Sequence, residues 1–222
     1  MRPVIVGFND NSVVVPEDTS CQGVVVTDVK DNLVVGIKSD PLTPPYLVVA
    51  QLPAGADLKF SPVCPPPACP VPGLTWSSLL ISPSTGSALP YTGHYIGPAQ
   101  GGASSVPLIV WPHGGPHSVI TTDYKNIVMF FCQLGYGVLF VNYRGSTGFG
   151  EENVRSLLGN VGDMDVKDCH MARELCLEKY SHLSREKCLL MGGSHGGFLV
   201  THLAGQHPMD YKVSTDTVGW VV

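Results

Sequence analysis

The chain has 222 residues, of which 44% are hydrophobic and 14% charged, with a formal net charge of -5. That length and balance exclude a disordered chain and leave one large domain or two small ones with a real core. The mild acidity gives no footprint for nucleic acid or an anionic membrane as partner, and no apolar run reaches the ~18 residues of a membrane helix.

The opening Met1–Gly7 stretch meets Asn9 and Asp10 at once, too soon for a secretory signal. Seven cysteines is an odd number without a small-scaffold spacing, and Cys132 and Cys188 sit in apolar runs. Reduced, buried thiols and a cytoplasmic location are therefore expected.

Up to about residue 60 the pattern is all-β. Short β-branched runs at 4–6, 12–15, 23–26, 33–37 and 46–50 alternate with turn residues, and Lys30-Asp31-Asn32 reads as a hairpin turn. Five such strands fit one to two propeller blades, or a piece of a small β-sandwich. Residues 61–73 hold six prolines in thirteen positions, which makes an extended, stiff connector. Cys64 and Cys69 lie in it without a second ligand pair, so no metal site is assigned there. The boundary falls between 90 and 104, dividing a β-rich 1–97 from a second domain at 98–222.

From Val106 strands and helices alternate. Residues 107–111 and 137–143 are near-continuous apolar runs, as in strands buried on both faces. Residues 123–134 have helical spacing, with Gly135 as the stop. Residues 165–180 form a second helix with Val166, Cys169, Ala172, Leu175 and Lys179 on one stripe; Asp165 and Asp168 at its start suit the helix dipole. A strand at 188–191 and a helix ending at Pro208 complete a parallel α/β sheet. Its active site belongs at the carboxyl ends of the strands.

Gly192-Gly193-Ser194-His195-Gly196 lies at that place. It is a Gly-x-Ser-x-Gly nucleophile elbow between a strand and a helix, which holds a serine hydroxyl out of the backbone in a strained turn. Ser194 is the candidate nucleophile. Acyl hydrolysis also needs fixed N–H donors for the carbonyl oxygen that becomes negative. In elbow hydrolases one is the N–H after the serine, here His195; the other comes from a Gly-rich loop after a strand, here His113-Gly114-Gly115-Pro116-His117, with Gly115 as donor. His113 and His117 are four apart, but the intervening glycines and proline forbid the helix that a zinc pair would need.

Taken together, the run at 113–117, Val141 to Gly150, Gly159 to Asp168 and Met191 to Gly197 resemble the acylaminoacyl-peptidase type of the prolyl oligopeptidase family of serine peptidases. The resemblance spans 106–212; over 1–105 only the β character agrees. It implies the first half of an α/β-hydrolase sheet preceded by the end of a β-propeller. It also implies release of N-acylated amino acids from short peptides through an acyl-enzyme on Ser194, with no cofactor or metal, and a homo-oligomer. Active-site loops would contain His113, Gly114 and Arg144, though a structural salt bridge serves equally well for Arg144.

The triad order of such enzymes is Ser, Asp, His, and 28 residues follow Ser194. Asp210, Asp216 and His207 are the candidates within them. His207, at the far end of the elbow helix, is expected about 18 Å away. His195 cannot turn back toward the hydroxyl without unmaking the elbow. The chain is accordingly expected to be a truncated form. The alternatives are a non-catalytic product that binds peptides or full-length subunits, and an esterase on the same fold. Residues 188–191 are expected to form an exposed sheet edge, with a tail from Ser214 too polar at its start for a strong strand.

Overall fold

The computed structural model describes residues 5–6, 13–15, 19–52, 58–83, 89–100 and 105–216. The expected strand residues Val4 and Ser12 and the tail 217–222 lie outside them. Two compact units are present, one comprising Met1–Pro70 with Thr121–Lys125, the other Val71–Ile120 with Asn126–Val222.

In the first unit β1 (Ile5–Val6) pairs with β2 (Val13–Val14). β3 (Val24–Lys30), β4 (Leu33–Asp40), β5 (Thr43–Gln51) and β6 (Ser61–Pro62) form a four-stranded antiparallel meander. The hairpin expected at Lys30–Asn32 is a two-residue turn in which Asp31 takes φ 53, a conformation that Asp tolerates better than most residues. Cys21, Val24, Val34, Val48, Ala50, Leu58 and Phe60 make its core.

The second unit is built on a six-stranded mixed sheet in the order β12-β11-β9-β10-β8-β7. Its strands are β7 (Leu74–Ile81), β8 (Tyr91–Pro98), β9 (Val106–Pro112), β10 (Gly137–Asn142), β11 (Leu183–Gly192) and β12 (Val213–Asp216). β12, β11, β9 and β10 run parallel, as expected of an α/β-hydrolase sheet, and β8 and β7 continue it antiparallel. Two strands that looked like part of the β-rich segment thus belong to this sheet, and the division falls at Pro70/Val71 instead of 97/98. The reason lies in β8: its Gly93, His94 and Gly97 disguise a strand whose residues from Gly93 to Gly97 are all buried.

The helices are α1 (Asn126–Gln133), α2 (Glu151–Ser156), α3 (Met164–Lys179) and α4 (His195–Gln206). Gly135 (φ 88) closes α1 as expected, while α2 went unread in the loop after Arg144. On α3 the buried stripe is Val166, Cys169, Ala172, Cys176 and Leu177, not one through Leu175, which is exposed. Asp165, Asp168 and Arg173 of α3 are buried as well, so the two acids do more than meet the helix dipole. The edge expected at 188–191 is covered: Leu189, Leu190, Met191 and Gly192 pair in parallel with Val213, Ser214, Thr215 and Asp216. Main-chain pairing needs no apolar side chain, and the Lys212 N–H leads the strand in by bonding the Cys188 carbonyl at 2.9 Å. No helix among the described residues is long and apolar enough to cross a membrane.

Candidate active site

β11 delivers the chain to Ser194, which turns it sharply into α4 with φ 56 and ψ -124. Non-glycine residues avoid positive φ, and such strain persists only where surrounding structure enforces it. The glycines show what enforces it here. A Cβ on Gly192 would stand 2.4 Å from the Gly196 carbonyl oxygen, and one on Gly196 would stand 2.5 Å from that of Pro112. The turn can close, and α4 can start against the end of β9, only because both side chains are absent.

The loop after β9 meets the elbow directly. A Cβ on Gly114 would fall 2.7 Å from the Gly193 carbonyl oxygen and 3.2 Å from Ser194 Cβ. Gly115 follows with φ 52. Ser194, His195, Gly114 and Gly115 are therefore brought to one place, at the carboxyl ends of β9 and β11.

The loop is tied down by buried side chains. The His113 ring stacks on Tyr143 at 4.5 Å and 18°, and the Tyr143 hydroxyl donates to the His113 carbonyl at 3.0 Å. His113 Nδ1 hydrogen-bonds the Gly114 carbonyl at 2.9 Å, and Nε2 bonds Ser146 Oγ at 2.7 Å. Burial holds this imidazole below its ordinary pKa. His117 Nδ1 bonds the Gly145 carbonyl at 2.9 Å, and Asn142 accepts from the Ile120 N–H at 2.8 Å. The β9 loop and the loop after β10 thus brace each other.

Arg144 lies in that second loop and enters a buried ion pair with Asp168 of α3. Its Nε donates to the carboxylate at 2.9 and 3.1 Å, a terminal nitrogen at 2.6 Å, and its own N–H at 2.9 Å. Burial pushes the Asp168 carboxyl up, while pairing with it raises the Arg144 guanidinium. The salt-bridge reading of Arg144 is what the geometry supports.

His195 is held by Asp165, which the sequence shows only as an acid suited to the helix dipole. Its Nε2 lies 2.9 Å from Asp165 Oδ2, while Oδ1 accepts the N–H groups of Gly162 at 2.8 Å and Val166 at 3.1 Å. The other histidines are occupied too: His94 by Ser78 and Asn142, His182 by Tyr95 and Pro98, His202 by Gln206, and His170 by Tyr211 and a stack with His207. With His113, His117 and His195 that accounts for all eight. None is hydrogen-bonded to the Ser194 hydroxyl.

Residues 122–221 match the prolyl oligopeptidase family. Over 189 residues, 82% of this chain, the sequence is 40% identical to the acylamino-acid-releasing enzyme of Rattus norvegicus. The sequence resembles the prolyl oligopeptidase family. It spans about a quarter of the rat relative, 26% of its length. The human acylamino-acid-releasing enzyme is 38% identical over 192 residues, 83% of this chain and 26% of that enzyme. Among solved structures, Pyrococcus horikoshii acylaminoacyl peptidase superposes with a TM-score of 0.73 at 20% identity, covering 92% of this chain and 32% of that one. At that identity the likeness establishes the fold. The elbow and its glycines lie inside the segment that matches the family.

Proposed function

We propose that the chain carries the nucleophile and oxyanion-binding part of a serine peptidase of the acylaminoacyl-peptidase type, with N-acylated short peptides as substrate. The carrying observation is Ser194, raised at φ 56 on the first turn of α4 and packed against Gly114. In this reading Ser194 Oγ attacks the carbonyl carbon of the acylated residue. The N–H groups of His195 and Gly115 hold the oxygen as it turns negative, and the positive end of α4 adds to them. The tetrahedral intermediate expels the peptide amine, which leaves with a proton, and water hydrolyses the resulting ester. His113, Gly114 and Arg144 keep the loops in place and do not touch substrate.

Proton transfer from Ser194 to the leaving amine calls for an imidazole, and all eight histidines of residues 1–222 are engaged elsewhere. That observation favours a second reading in which these residues alone bind acylated peptides with little turnover. The rat and human enzymes are acylamino-acid-releasing by name, which supports the substrate class. A cytoplasmic setting, expected from the number and placing of the seven cysteines, and a homo-oligomer belong to the same proposal.

The test is hydrolysis of an N-acetylalanyl chromogenic ester beside its free-amine counterpart. Without the base, serine enzymes lose on the order of 10⁶ in kcat yet keep roughly 10³–10⁴ over water from oxyanion binding and positioning. Slow hydrolysis that prefers the acetylated ester is expected. Equal rates on both esters, or no loss of activity after thermal unfolding, would overturn the reading.

A further inference from the structure

At the opposite end of α4 from Ser194, three potential metal ligands converge. His170 comes from α3, His207 caps α4, and Asp210 follows in the next turn, with one ligand atom from each lying within 4.8 Å of the others. The two imidazoles are stacked face to face, 3.7 Å between centroids at 6°.

The contacts these groups make among the described residues are long ones. His170 Nδ1 is 3.4 Å from the Tyr211 hydroxyl, and His207 Nδ1 is 3.8 Å from Asp210 Oδ2. Asp210 Oδ1 is 3.4 Å from an Arg173 nitrogen. Each contact is long, so three half-buried polar side chains stand together with room to take up another partner. The neighbouring Arg173 opposes a cation. It is itself engaged by Glu174 and by the carbonyls of Arg185 and Asp210, and Glu174 also pairs with Arg185.

We infer that His170, His207 and Asp210 form a binding site for a borderline divalent transition metal, zinc being the type, that fastens the end of α4 to α3. The donor set is two imidazole nitrogens and one carboxylate, a combination that zinc accepts with water in the fourth position. Bonds of ~2.0–2.2 Å put tetrahedral ligand atoms roughly 3.3 Å apart. The widest pair therefore has about 1.5 Å to close. The stack must open too, because a metal lies in the plane of each ring that binds it and parallel rings share no such point; rotation of His207 and Asp210, whose side chains are 28% and 38% exposed, supplies both movements.

Isothermal titration of the metal-free chain with zinc chloride, paired with thermal melts, decides the matter. One zinc per chain is expected, with a melting midpoint that rises with zinc concentration. His170→Ala and His207→Gln should each abolish the uptake. Asp210→Asn should weaken it by at least the roughly tenfold carried by groups around a metal site. A Cys64→Ser, Cys69→Ser double variant should bind as the parent does. Circular dichroism checks that each variant is folded, and the more exposed His207 keeps the test open if His170→Ala unfolds. Absence of uptake by the folded parent chain, or uptake that survives His207→Gln, overturns the assignment.

Discussion

Arg144 and Asp168 meet in a fork in which three nitrogens of one residue reach two oxygens of the other, with side chains 7% and 1% exposed. The pair joins the loop after β10 to the second turn of α3. Removing one partner strands a charge in the interior. Arg144→Met should lower unfolding free energy by about 3–5 kcal/mol in urea titration. The double variant Arg144→Met, Asp168→Leu should recover a large part of it. A single variant as stable as the parent would mean that water already reaches the site.

Ser194 stores strain of about 1–3 kcal/mol in its backbone. Glycine adopts that conformation freely but costs about 0.5–1 kcal/mol in unfolded-chain entropy. Ser194→Gly should therefore stabilise the chain by about 1 kcal/mol in chemical denaturation, whereas Ser194→Ala, which keeps the Cβ, should not. Equal midpoints for the two variants would contradict the strained turn.

Gly196→Ala should act in the opposite sense. Its methyl would press on the Pro112 carbonyl, which is backbone and cannot swing aside. A loss of about 1–3 kcal/mol is expected, the usual cost of overpacking. Gly205→Ala, in the same helix, provides the control, because nothing lies within 4 Å of its added Cβ.

Stability should also fall in mild acid. Burial holds His94 and His113 below the ordinary histidine value of about 6.5. Once the pH drops under that value the unfolded chain takes up protons that the folded chain refuses, so protonation favours unfolding. Each ring contributes a slope of up to about 1.4 kcal/mol per pH unit, beginning near the unfolded value and ending at the folded one. Urea midpoints measured from about pH 7.5 to about pH 5.5 should decline, and less so in a His113→Asn variant.

The elbow was legible because everything it needs is local: an apolar strand, five consecutive motif residues and a helix. The same holds for the strands at 107–111 and 137–143, whose apolar runs announce burial on both faces. What escaped notice joins distant positions. Asp165 and Asp168 look like first-turn acids that suit any helix, and only the fold shows that one receives His195, 30 residues on, and the other Arg144, 24 residues back. β8 hid behind His94 and its glycines, which a buried strand tolerates here because Ser78 and Asn142 satisfy the imidazole. β12 escaped because parallel pairing at a sheet edge is made by the main chain, which side-chain pattern does not report.

The contact of Gly114 with Gly193 and Ser194 has a consequence for how such a site can be altered. The floor of the cleft is one mechanical part: push on the loop and the nucleophile moves, rotate the nucleophile and the loop must follow. Adjustments there would detune attack and charge capture together. On the proposed function, a change in which peptides are accepted would have to be made in other side chains, which can be exchanged without moving this contact.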